Sequence, residues 1–206
     1  MLFRSGLTVT SAEVKSAIWK VWGPLEGCAH VEASKSMESY RSWIGKIERE
    51  ILIGLGIDGP WLDGVIRRVM ELQVDPASYR AYRDTRPALR SLSQRGLRLG
   101  IISNFAWELP ELVAGLGLAE YFDLILTSAR LGYRKPRPEI FRRALSQAGV
   151  DPGRALYVGD DPWCDRDGAS AAGMPSLLID RSRPASTQQR RIQSLARVAD
   201  YLDLPT

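Results

Sequence analysis

Tyr157-Val158-Gly159-Asp160-Asp161-Pro162-Trp163-Cys164-Asp165-Arg166-Asp167-Gly168-Ala169 brings several carboxylates together directly after a short apolar run. Like charges at that density repel one another unless a cation or hydrogen-bond donors neutralise them. Magnesium suits such a cluster, because it prefers oxygen ligands, keeps several waters and takes one or two protein carboxylates together with a substrate phosphate. Helix capping by Asp161 or Asp165 in a solvated loop is the competing reading.

Working outward from this loop, apolar runs alternate with amphipathic segments. Helices are predicted at 87–95, 107–116, 138–148 and 165–172, and strands at 97–102, 122–127, 155–159 and 176–179. That rhythm implies a parallel sheet covered by helices, in which ligands bind at the carboxyl ends of strands. Ser103-Asn104 follows one strand and Asp160-Asp161 another, so the two loops should face one crevice. A last helix is predicted over 187–202 through Ile192, Leu195, Val198 and Leu202, with the basic residues of 181–197 on a solvated face.

Before Tyr79 the pattern is helical only. Thr10-Ser11-Ala12-Glu13 reads as a capping box opening a helix to Trp22, and further helices are predicted over 39–54 and 61–72. The chain therefore divides into a small all-helical unit at 6–78 and an α/β unit at 79–206. Trp19, Trp22, Trp43 and Trp61 are expected to pack toward the core of the helical unit, while Trp107, just after Ser103-Asn104, is placed where it could touch a ligand.

Lys135 is conspicuous by composition. After Lys46 the chain uses 21 arginines and a single lysine, which lies in Gly132-Tyr133-Arg134-Lys135-Pro136-Arg137-Pro138. A compact ammonium on a flexible stem reaches a phosphate or carboxylate where a planar guanidinium does not fit. Ser103 and Asn104, with exposed backbone N–H groups near a helix start, offer an anion site, although taken alone they read better as an ordinary turn or N-cap.

Composition also excludes chemistry. The 206 residues are 45% apolar and 25% charged, ordinary for a globular chain. One histidine, His30, and two cysteines, Cys28 and Cys164, rule out zinc sites built from several His or Cys ligands, and any Ser or Cys triad would have to use His30. His30 is expected at the surface or in a loop. The cysteines are expected to be reduced intracellular thiols, Cys164 being a poor nucleophile among carboxylates. Net charge is +4, with the basic residues scattered, so nucleic acid is not expected as a partner. There is no run of 18 apolar residues and no secretory pattern at the start, so neither a membrane partner nor export is expected and the cytoplasm is the default.

Together these motifs resemble the haloacid dehalogenase (HAD) superfamily. Ile101-Ile102-Ser103-Asn104 is similar to its second motif, 132–138 with Lys135 to its third, and Val158-Gly159-Asp160-Asp161 through Asp165 to its fourth. The stretch from Tyr121-Phe122-Asp123 through Thr127-Ser128 to Glu139-Ile140-Phe141 is typical of the branch with a helical cap. The resemblance implies a Rossmann-like core, Mg2+, and hydrolysis of a small phosphorylated metabolite through an aspartyl-phosphate. It further implies Asp160 and Asp165 as metal-binding residues, Asp161 as a less certain third, Ser103 and Asn104 on the phosphate, and Lys135 neutralising its charge.

The family's first motif, an apolar strand ending in Asp-x-Asp, has no counterpart here. Asp165-Arg166-Asp167-Gly168 imitates it without the preceding strand. The resemblance places that strand between those carrying Ser103 and Asp160, so an interruption of the sheet is expected there. The nucleophile is expected to be missing, the 206-residue chain to be inactive or nearly so, and N-terminal shortening to be the simplest explanation. A non-catalytic relative that binds a phosphorylated ligand or a protein is the alternative, and a dehalogenase would need the same missing Asp.

Overall fold

The computed structural model describes residues 9–25 and 29–202; residues 1–5, the first residues of the expected helical unit at 6–8, and Cys28 lie outside them. Thr10 caps α1 (Ser11–Trp22) as its sequence pattern requires. Its hydroxyl accepts from the Glu13 N–H at 3.2 Å, and the Glu13 carboxylate accepts from the Thr10 N–H at 2.7 Å. α2 (Met37–Gly54) and α3 (Leu62–Val74) follow, with α2 packed against both neighbours. Ile44, Ile47 and Ile51 of α2 recur on its buried face, and Leu52 meets Ile57, Leu62 and Ile66.

Two of the four tryptophans expected to face the core do not. Trp22 and Trp43 meet edge to face at 5.9 Å, but Trp19 is 63% exposed and Trp61 44% exposed. Ala17 is the one buried residue of α1, so the helix covers only a narrow stripe and leaves Trp19 outside it.

The remainder alternates as predicted. β1 (Gly100–Ser103) pairs in parallel with β2 (Leu124–Thr127), and β3 (Tyr157–Gly159), β4 (Ser176–Ile179) and β5 (Arg191–Ile192) form a second parallel sheet in that order. Helices α4 (Thr85–Gln94), α5 (Leu109–Gly115), α6 (Ser128–Leu131), α7 (Pro138–Ala148) and α8 (Gly168–Ala171) cover the strands. Among the described residues no ladder joins β1 to β3, the two strands on either side of the expected interruption. One core cluster gathers Ile140, Phe141 and Leu145 of α7 beneath Tyr157 of β3, and another gathers Leu89, Leu109, Leu112 and Val113 around β1 and β2.

The helix expected over 187–202 is instead strand β5 followed by a 3-10 helix at Leu195–Tyr201. Ile192, Leu195 and Val198 are spaced by three, which a 3-10 helix satisfies as well as an α-helix does. Arg190, at φ 46, turns the chain out of helical geometry so that Ile192 lies beside Ile179 in the sheet. Asp84, before α4, then holds the segment. Its carboxylate accepts from Arg181 at 2.9 Å, Ser194 Oγ at 2.6 Å and the Leu195 N–H at 2.9 Å. Arg181, expected on a solvated helix face, is thus an anchor and also lies over the Tyr82 ring at 3.9 Å. No helix among the described residues is long and apolar enough to cross a membrane.

His30 corrects a further expectation. It is buried, 6% exposed, with its ring parallel to Trp43 at 4.8 Å. Its Nε2 lies 3.0 Å from the Ser128 carbonyl, and its backbone N–H donates to the Gly132 carbonyl at 2.7 Å. A neutral imidazole has one donor and one acceptor nitrogen, and here Nε2 is engaged while Nδ1 is buried without a hydrogen-bond partner among the described residues. The α1–α2 connection is thereby docked onto the segment leading to Lys135.

Burial, reinforced by the Arg134 guanidinium and opposed by the Ser128 carbonyl, pushes the His30 pKa down to about 4. The unfolded chain takes up that proton near 6.5, so stability falls as pH drops through the window from about 6.5 to about 4, by roughly 3 kcal/mol in all. His30→Phe keeps a ring on Trp43 and removes the titration; urea midpoints at pH 7 and pH 4.5 should differ much less for it than for the unsubstituted chain. Asp84 loosens at lower pH. Burial tends to raise its pKa, but the bonds from Arg181, Ser194 and Leu195 outweigh burial and hold it down at about 2. Its stabilisation is present above the ordinary carboxylate range and is lost as pH falls toward 2, a loss that Asp84→Asn should abolish in acid titrations followed by circular dichroism.

Candidate active site

Three loops at the carboxyl ends of β1 and β3 and before α7 are tied together by side chains. Asn104, one residue past β1, forms a reciprocal pair with the backbone of Lys135. Its Nδ2 donates to the Lys135 carbonyl at 3.0 Å, and its Oδ1 accepts from the Lys135 N–H at 2.7 Å. Both hydrogen-bonding groups of the amide are thereby engaged in fixing the lysine's backbone. Pro138 starts α7 three residues later, in a position where its missing N–H costs nothing.

The Lys135 ammonium donates to Asp165 Oδ1 at 2.5 Å and to the Tyr157 hydroxyl at 3.0 Å. The lysine side chain is 11% exposed and that of the aspartate 4%, so this is a buried ion pair. Asp165 Oδ1 also lies 3.0 Å from the Tyr157 hydroxyl, and its Oδ2 accepts from the Asp160 and Asp161 N–H groups, each at 3.0 Å. Each carboxylate oxygen therefore meets two donors, and the acceptor positions of Asp165 are filled.

The local fold that turns Asp165 inward is not the helix expected at 165–172. Pro162–Asp167 forms a π-helical turn before α8, and the Asp161 carbonyl accepts from both Asp165 and Arg166 N–H groups, at 3.0 and 3.2 Å. Asp161 also caps that turn, its Oδ1 accepting from Trp163 at 2.8 Å and Cys164 at 2.6 Å. The wider winding carries Asp165 back over its own loop, a distortion that recurs at functional sites. Gly159 is required for the approach, because a Cβ there would overlap the Asp165 carboxyl group. Asp167 of the Asp-x-Asp lookalike is on the same turn, paired with Arg166 at 3.0 Å rather than placed at a strand end.

The predicted residues thus divide into two groups. Asn104, Lys135, Asp165 and the backbone of Asp160 and Asp161 form one continuous hydrogen-bonded network. Ser103 ends β1 opposite Thr127, covalently next to that network, and the Asp160 carboxylate is exposed at the end of β3. Trp107 is partly buried against the helical unit, and Arg130 lies over its ring at 5.9 Å.

Two residues here escaped the sequence reading. Thr127, fully buried, donates its hydroxyl toward the Phe105 and Ala106 carbonyls at 2.7 and 3.0 Å and so shapes the loop after Asn104. Tyr157 reads as one apolar strand residue, yet its hydroxyl joins Lys135 and Asp165 and lies 3.2 Å from the Ile102 carbonyl of β1. Burial, then the charge and hydrogen bond of Asp165, push its pKa well above the usual tyrosine range. The only signal in sequence is a polar tip in a run of otherwise aliphatic residues.

The chain as a whole is similar to known proteins. A family model described as haloacid dehalogenase-like hydrolase matches residues 8–173. A phosphoserine phosphatase of Thermus thermophilus is 32% identical over 175 residues, covering 78% of this chain and 68% of that protein. The mouse haloacid dehalogenase-like hydrolase domain-containing protein 3 is 38% identical over 136 residues, 63% of this chain and 54% of its own length. The chain spans about half the length of several of the curated relatives it matches. Among solved structures, a HAD hydrolase of Bacillus subtilis crystallised with magnesium superposes with a TM-score of 0.70 at 17% identity, covering 98% of this chain and 86% of that one. A HAD phosphatase of Thermococcus onnurineus superposes at 0.60 and 24% identity, covering 92% and 88%. The two likenesses establish a shared Rossmann-like α/β fold, and with the family match they lead to one conclusion: this chain belongs to the haloacid dehalogenase-like hydrolases.

Proposed function

We propose that the chain carries the phosphate-binding and cation-binding half of a Mg2+-dependent phosphatase acting on a small phosphorylated metabolite in the cytoplasm. The supporting observation is the single network that joins Asn104, Lys135 and Asp165 to the loop of Asp160 and Asp161. Two relatives named phosphoserine phosphatase and glyceraldehyde 3-phosphate phosphatase favour a phosphate ester over a halogenated substrate. The helical unit at 6–78 acts as the cap over the core at 79–206.

The residues fit a magnesium ion held largely by water and substrate. Asp165 has its acceptor positions filled and Asp161 caps a turn, so the exposed carboxylate of Asp160 is the protein ligand we assign, with Asp165 fixing the Asp160 backbone. Bound there, the ion would supply Lewis-acid stabilisation of the negative charge on the phosphate. Ser103 and the backbone N–H groups beyond β1 hold phosphate oxygens, and the Lys135 ammonium, aimed by its partners, offsets the charge that builds during transfer. Asn104 serves by fixing Lys135, since both groups of its amide are engaged.

Asp165 is fully bonded, Asp161 caps a turn and Asp160 is the ligand we assign to the ion, so we assign the nucleophile to an Asp of a strand-end motif that these 206 residues do not contain. With p-nitrophenyl phosphate and Mg2+, the 206-residue chain should show little or no turnover. Upstream in-frame sequence carrying that motif should give turnover, and Asp160→Asn should then remove it. Clear turnover by the 206-residue chain that is lost in Asp160→Asn would overturn the assignment of the nucleophile. Tight binding of a phosphorylated metabolite without turnover in either form would instead identify a phospholigand-binding relative.

Asp165→Asn leaves the Lys135 ammonium buried without its counter-charge and should lower stability by roughly 3–5 kcal/mol, read as a shift of the urea midpoint. An unchanged midpoint would show that the pair is not formed in solution.

A further inference from the structure

Resting on the phosphatase reading, we propose that Tyr157 is a positioning residue, its hydroxyl aiming the Lys135 ammonium at the phosphate. An ammonium has three N–H donors. Asp165 takes one at 2.5 Å and the Tyr157 hydroxyl takes a second at 3.0 Å. Among the described residues nothing takes the third. With Asp165 alone the ammonium could rotate about a single contact; with a second acceptor the direction of the remaining N–H is fixed. The backbone of Lys135 is separately held by Asn104, so the side chain is anchored at both ends.

Tyr157 is itself held firmly enough for this task. It is buried, its ring meets Phe141 edge to face at 5.1 Å, and its hydroxyl proton faces two acceptors, Asp165 Oδ1 at 3.0 Å and the Ile102 carbonyl at 3.2 Å. The same hydroxyl therefore refers Lys135 to both β1 and β3, which share no backbone ladder. Tyr157→Phe removes this one oxygen and leaves the ring in its packing.

The test uses inorganic phosphate with Mg2+ as the probe, titrated calorimetrically into the unsubstituted chain, Lys135→Met and Tyr157→Phe. The unsubstituted chain should bind, Lys135→Met should lose binding, and Tyr157→Phe should bind about tenfold more weakly, the effect of one hydrogen bond to a charged group. In 15N-resolved NMR spectra the Lys135 ammonium should give a slowly exchanging signal that collapses in Tyr157→Phe, a change that general loosening of the fold would not confine to one ammonium. Equal phosphate affinity and a persisting ammonium signal in Tyr157→Phe would overturn the positioning role while leaving the phosphatase reading intact. Failure of the unsubstituted chain to bind phosphate, or equal binding by Lys135→Met, would overturn the phosphatase reading and this inference with it. The unsubstituted chain also carries a test that needs no variant to fold. A Tyr157 hydroxyl proton with a cross-relaxation peak to the Lys135 ammonium is expected, and its absence overturns the proposal.

Discussion

Opposite charges buried at 2.5 Å constrain everything around them. The Lys135 and Asp165 side chains are almost wholly removed from water, and each would be severely unfavourable without the other. Keeping them matched requires the loop after β1 to hold the lysine's backbone, the turn after β3 to wind one residue wider than an α-helix, and Gly159 to lack a side chain. The geometry of three separate loops is thereby set by one charge pair and the dipoles that finish its solvation.

Those demands explain which parts of the molecule could be read from sequence. The parallel strands and most of the helices are legible because apolar spacing determines which face is buried, and the meeting of Asn104, Lys135 and Asp165 because polar groups near strand ends are costly to bury unless they serve one another. Tyr157 was not legible, since a tyrosine in a strand looks like a packing residue until the distance from its hydroxyl to Lys135 is known. The burial of His30 is illegible for a related reason. Its burial depends on the Ser128 carbonyl, far away in sequence, which periodicity cannot reveal. The segment at 187–202 departs from its expected helix because a spacing of three fits two kinds of helix, and the tertiary anchor at Asp84 holds the observed one.

The distribution of hydrogen bonds also separates roles that a motif merges. Asp160, Asp161 and Asp165 stand within six residues and look interchangeable as ligands. In the folded chain one is fully engaged, one caps a turn and one presents its carboxylate to solvent. Asn104 is similarly diverted from ligand binding to holding the backbone of its neighbour. In this chain much of the motif's polar content holds loops in place.

The contact between His30 and Gly132 couples two parts of the molecule. Gly132, at φ 79, lies so close to Val31 that a side chain there would strike its backbone, and its carbonyl takes the His30 N–H three residues before Lys135. A shift of the three-helix unit relative to the strands must either break that bond or drag the Lys135 segment with it. The placement of the helices and the path of the backbone leading to Lys135 are therefore fastened at one shared point.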